Sequence, residues 1–149
     1  LKVSTRGDYA TRALVSMALH DPQVPTSVKE IAERTGLPQP YLEQILLAIK
    51  GAGLVRSKRG VGGGYVLARP ARDISVADVL AAVDGPIASD FDEIEHSEGR
   101  CVIQDIWVEV FERMREYLNA VTLADLVDRA TVGHVGVHSD EPRSIDPLG

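Results

Sequence analysis

The chain has 149 residues, 44% of them hydrophobic and 26% charged, the balance of a soluble globular protein with one domain or one domain plus an appendage. No run approaches the ~18–20 apolar residues of a membrane span, and a single cysteine excludes an internal disulfide and a four-cysteine zinc site. No basic-then-apolar leader opens the sequence, so the expected address is a reducing cytoplasm.

The net charge of −6 conceals two opposite halves. Residues 1–72 carry eleven Lys or Arg against five acids, a net of +6, whereas residues 73–149 carry five against seventeen, a net of −12. An anionic polymer is attracted to the first half and repelled by the second. The plain alternative is chance segregation of solvated charge.

Four helix starts place a hydroxyl three residues before a carboxylate: Thr5…Asp8, Ser27…Glu30, Ser75…Asp78 and Thr122…Asp125. Tyr9, Ala13, Leu14, Met17 and Ala18 form the apolar stripe of the first helix. Val28, Ile31 and Ala32 form that of the second, which ends at Gly36. A third helix is predicted from about Pro40, with Leu42, Ile45, Leu46 and Ile49 inward, stopping at Gly51-Ala52-Gly53. Two β-prone runs, 54–59 and 65–68, flank the glycine-rich tip 60–64 and read as a hairpin. Three short helices and a basic hairpin make a winged helix-turn-helix.

A further helix is predicted from Val76 to Val83, and then an acidic loop over 86–101 that includes Asp92, Glu93, Glu95 and Glu98. Beyond it, Ile103, Trp107, Val110, Met114, Tyr117 and Val121 recur at spacings of 4, 3, 4, 3 and 4, with Ile106, Phe111 and Leu118 widening the stripe. A 3.5-residue period of this kind suits a helix paired with a second copy, though a core helix within one chain shows it too. After Thr131 periodicity ends, and 133–149 reads as a mobile tail. The expected division is 1–72 for DNA binding, 73–132 for dimerisation and sensing, and 133–149 as tail. In class the fold is mainly α with a small β-hairpin and a long C-terminal dimerisation helix.

Enzyme motifs are missing. There is no His-Glu-x-x-His or Gly-x-Ser-x-Gly, and Gly60–Gly64 lacks the Lys-Ser/Thr ending of a nucleotide loop. No metal site is expected, and the chain is read as a binder. Opposite the buried stripe of the third helix stand Gln39, Pro40, Glu43 and Gln44. Gln suits adenine, Glu suits the cytosine amino group, and Pro40 or Tyr41 offers apolar contact to a thymine methyl. Lys58 and Arg59 precede a tip where Gly62 and Gly63 allow close approach to a sugar–phosphate surface, and Arg59 suits a narrow minor groove. An ordinary hairpin with solvated basic flanks is the bland reading of the same residues. His96 and Cys101 with the surrounding acids form the one constellation open to sensing, against which stands a cysteine that packs as a small hydrophobe.

These residues together resemble the IscR/NsrR/CymR (Rrf-two) family of bacterial winged-helix transcription regulators. The resemblance runs from about Val3 to Leu126. It is carried by Ser4-Thr5-Arg6-Gly7-Asp8-Tyr9-Ala10, Tyr41-Leu42-Glu43-Gln44-Ile45 and Arg59-Gly60-Val61-Gly62-Gly63-Gly64-Tyr65. It implies a homodimer joined at the long helix, double-stranded DNA with a two-fold operator as partner, Glu43 and Gln44 reading bases, and Arg59 in the minor groove. Cluster-binding members carry three cysteines before that helix. Here only Cys101 matches; Ser89 and Glu95 stand twelve and six residues upstream, and Gln104 replaces a histidine found in some members.

Asp8, Glu95, His96 and Cys101 are the residues left for an unusual sensor site. One thiolate is thin ligation for an iron–sulfur cluster, so no cofactor is expected, and a cluster at these residues is the less favoured alternative. The resulting expectation is a dimeric repressor whose signal enters at the 86–101 loop and Cys101, from a small molecule, a partner protein or thiol chemistry. The alternative is a protein-interaction scaffold with a weak DNA surface.

Overall fold

A computed structural model describes residues 3–86 and 100–137. Helices α1 (Thr5–Leu19), α2 (Val28–Thr35) and α3 (Gln39–Gly51) precede strands β1 (Val55–Lys58) and β2 (Gly64–Leu67). A 3₁₀ turn at Ala71–Asp73 leads to α4 (Val76–Asp84), α5 (Arg100–Ala120) and α6 (Leu123–Val137). This is a winged helix with a long helical extension. None of the described helices is long and apolar enough to cross a membrane.

The caps set the helix starts. Three of the four predicted boxes close on themselves, at Ser27–Glu30, Ser75–Asp78 and Thr122–Asp125. The first is displaced by one residue: Ser4, not Thr5, is the cap, accepting from the Gly7 N–H at 2.9 Å. Its hydroxyl also donates to the Asp84 carboxylate at the end of α4. Any β-carbon on Gly7 would lie 2.6 Å from the Leu80 side chain, so α1 and α4 meet where Gly7 lets them.

One core runs through both charge halves. Leu14, Ile31, Leu42, Ile45, Leu46, Ile49, Leu54 and Val55 bury together with Ile74, Val79, Val83 and Leu123. A two-rung ladder ties the start of α4 to the α5–α6 turn. Val76 donates to the Val121 carbonyl at 2.8 Å and Leu123 to the Ile74 carbonyl at 2.9 Å. Ser75 and Thr122 face each other across that ladder, and each is also the cap of the helix it opens.

The hairpin pairs Val55 with Leu67, Arg56 with Val66, Ser57 with Tyr65 and Lys58 with Gly64. Its outer edge is stitched to the loop before α2, where Thr26 and Tyr65 exchange both backbone bonds at 2.9 and 2.8 Å. Gly64 permits this stitch, because a β-carbon there would sit against the Thr26 carbonyl.

Two boundaries differ from those predicted. Arg100 and Cys101 belong to α5 rather than to the acidic loop, and α6 continues through residues 133–137, past the point where periodicity fades. Helix propagation adds one backbone bond per residue fixed, so a helix already nucleated can run on without an apolar stripe. Glu95 and His96, with the rest of 87–99 and of 138–149, lie outside the described residues.

Two outcomes follow from this packing. Gly64→Ala should overpack the wing against Thr26 and cost about 1–3 kcal/mol, read as a lowered unfolding midpoint with α-helical content retained. Asp125 titrates below its usual 3.8, chiefly because the Thr122 N–H and then the Thr122 hydroxyl bond its carboxylate, with Arg129 adding attraction. A carboxyl with a lowered folded value stabilises above its unfolded value and loses that contribution as pH falls through the folded one. Asp125→Ala should therefore lower the melting temperature at pH 7, and the gap to the parent should narrow below about pH 4.

Candidate nucleic-acid interface

Helix α3 is anchored on one side only. Leu42, Ile45, Leu46 and Ile49 are buried, so at 3.6 residues per turn the opposite row is Pro40, Glu43, Gln44 and Leu47. All four are exposed. Gln39 and Tyr41 lie on the two flanks of that row. The Gln39 side-chain amide approaches the Glu43 carboxylate at 3.5 Å. Tyr41 meets Tyr9 of α1 edge to face, with ring centroids 6.4 Å apart, which orients the first turn of α3 against the domain. Pro38 caps the helix without a side-chain bond, so the first-turn N–H groups of α3 keep their outward polarity.

Leu47 is the member of the row that sequence reasoning missed. Its signal was present, since it is the one large apolar side chain of α3 that falls off the 42/45/46/49 stripe and lies in the outward row.

Beside this row stands the wing. Arg56, Lys58 and Arg59 are exposed, and none of them has an ion-pair partner among the described residues. Arg56 and Lys58 share one face of β1 and line an open cleft of about 610 Å³ with Arg69. Gly62, at φ +75, turns the chain at the tip, and Gly63 closes the turn by donating to the Gly60 carbonyl at 2.9 Å. The wing thus extends free cations from the same domain that presents the α3 row.

Along α5 much of the apolar stripe is exposed among the described residues. Ile103 is 57% exposed and Tyr117 60%, Trp107 is also exposed, and Val110 and Met114 are half-buried. Val121 departs from the expected stripe. It is only 8% exposed, because the ladder to Val76 folds it into the chain's own core.

Of the expected sensor residues, Glu95 and His96 lie outside the described residues. Asp8 lies on α1 in an ion pair with Arg12 at 3.0 Å, and Cys101 stands in the first turn of α5. No group of three or more His, Cys, Asp or Glu residues suited to a metal occurs among the described residues.

Comparison with known proteins fits this geometry. A family model described as "Iron-dependent Transcriptional regulator" (Rrf2) matches residues 3–129. The HTH-type transcriptional regulator IscR of Serratia proteamaculans is 36% identical over 137 residues, covering 89% of this chain and 82% of its own. The structure of CymR, the global cysteine regulator of B. subtilis, superposes with a TM-score of 0.76 at 34% identity, over 87% of this chain and 98% of that one. IscR of T. potens gives 0.72 at 42% identity, over 87% and 88%. This chain offers a single cysteine, thin ligation for an iron–sulfur cluster held by protein thiolates. With the winged helix, the outward α3 row and the free wing cations in place, the chain belongs to the Rrf2 family of transcription regulators and is not an enzyme.

Proposed function

We propose that this regulator works in the cytoplasm as a homodimeric repressor that holds a two-fold symmetric operator in duplex DNA. The observation that carries the reading is the pairing of an outward polar row on α3 with unpaired cations on the adjoining wing. Glu43 accepts from a cytosine amino group and Gln44 grips an adenine edge in the major groove. Lys58 and Arg56 neutralise phosphates, Arg59 enters the minor groove, and the Gly62–Gly63 tip lets the backbone approach. Pro40 and the flanking Gln39 and Tyr41 border the base-reading row.

The second copy is the partner of α5. Ile103, Trp107, Val110, Met114 and Tyr117 meet their equivalents across a seam, which removes apolar area from water at about 25 cal/mol per Å². Two heads joined in this way read half-sites about one DNA turn apart. Occupying such a site within a promoter blocks transcription sterically. The acidic second half is repelled by the duplex and so turns away from it.

The signal enters at the start of α5. Cys101 lies in the first turn, where the positive end of the helix dipole favours thiolate. Oxidation there alters the end of the seam helix and, through the 74–76/121–123 ladder, the setting of the two heads. The preceding segment carries Glu95 and His96 with Asp92, Glu93 and Glu98, and these charged residues are the proposed recognition elements for an effector.

Affinity for promoter DNA should fall steeply as salt rises, and Arg59→Ala should lower the slope of log affinity against log salt by about two, one for each protomer. Glu43→Ala should relax base choice at one position per half-site, at about 1–3 kcal/mol. Salt-insensitive or equally weak binding to all duplexes would remove the DNA reading. Val110→Glu should place unpaired carboxylates in the seam at a cost of about 3–5 kcal/mol, giving monomers in sedimentation where the parent sediments as a dimer. A parent that is monomeric at micromolar concentration contradicts the seam. Cys101→Ser should abolish a peroxide-induced loss of DNA affinity while keeping basal affinity; identical responses in both proteins make the thiol structural.

A further inference from the structure

We infer that Leu47 is a specificity-determining residue of the DNA-reading face, matched to the 5-methyl group of a thymine in each half-site. The inference rests on the reading of α3 as the base-reading helix. Leu47 stands at the C-terminal end of the outward row, three residues after Gln44, four after Glu43 and seven after Pro40. This i, i+3, i+4, i+7 set is the one a helix lying in the major groove turns toward base edges. At 1.5 Å per residue, Pro40 and Leu47 stand about 10 Å apart along the helix, close to three base-pair steps.

No packing among the described residues accounts for a leucine at this place. It is 63% exposed, whereas Leu42 and Leu46 on the opposite face are fully buried. A leucine cannot hold a phosphate or accept from an amino group. The major-groove edges of the four bases present donors, acceptors and one apolar group, the thymine methyl. An apolar side chain within a base-reading row therefore has one complementary partner on the groove floor. Polar Glu43 and Gln44 lie between apolar Pro40 and Leu47, so the half-site should read as polar base edges with a thymine methyl toward the Leu47 end.

The test uses the full-length protein and a duplex enriched from a random-sequence pool by the parent protein. Each thymine of one half-site is replaced in turn by deoxyuridine, which removes only the methyl. One replacement should weaken the parent about four-fold, the worth of one buried methyl group. The same replacement should leave Leu47→Ala unaffected, and Glu43→Ala should keep the parent's sensitivity. A parent indifferent to every uracil, or a Leu47→Ala protein as sensitive as the parent, overturns the inference while leaving DNA binding intact. Failure of the parent to enrich any duplex overturns the DNA reading beneath it. Because Leu47 is exposed, Leu47→Ala should fold, and an unchanged far-ultraviolet dichroism spectrum checks this before binding is measured.

Discussion

Helix α3 is fixed from one side only, and much else depends on that asymmetry. Leu42, Ile45, Leu46 and Ile49 are buried against α1, α2, α4 and β1, and each such side chain contributes about 1.5–3 kcal/mol of burial. Because the anchor takes up the whole inner stripe, the outer row is presented rigidly, with Glu43 touched only by the Gln39 amide among the hydrogen bonds of the described residues. Rigid presentation matters for base reading, since hydrogen bonds to base edges tolerate little misplacement. The Tyr9–Tyr41 contact and the Thr26–Tyr65 stitch extend the same rigidity to the first turn of α3 and to the wing.

The route from the head to α5 is short and hydrogen-bonded. α4 packs on α1 at Gly7 and on α3, and its first residues form a ladder with the α5–α6 turn. Ser75 and Thr122 each do two things there, capping a helix and pairing across the ladder, so the angle of α5 is set by the same bonds that start α4 and α6. A change at α5 therefore reaches the head through hydrogen-bonded backbone rather than through loose side chains.

Much of this was legible in the sequence. The buried stripe of α3, the hairpin with its glycine tip and three of the four caps each depend on local spacing, and local spacing is what a sequence displays. The charge split pointed to DNA before any element was placed. What the sequence hid was tertiary. Ser4 displaces Thr5 as cap because Asp84, eighty residues on, bonds it. Val121 continues a perfect heptad rhythm yet is buried by its own chain, since the rhythm does not say where the ladder begins. Leu47 was visible as a letter, but its meaning depends on knowing which side of α3 is free.

The pairing of two heads on one duplex is the central claim, and hydroxyl-radical footprinting on an enriched operator tests it most directly. The account predicts two equivalent clusters of protected sugars related by a two-fold axis. Their centres should lie about 34–36 Å apart, on one face of the duplex. A single protected cluster, or protection without two-fold symmetry, would contradict it.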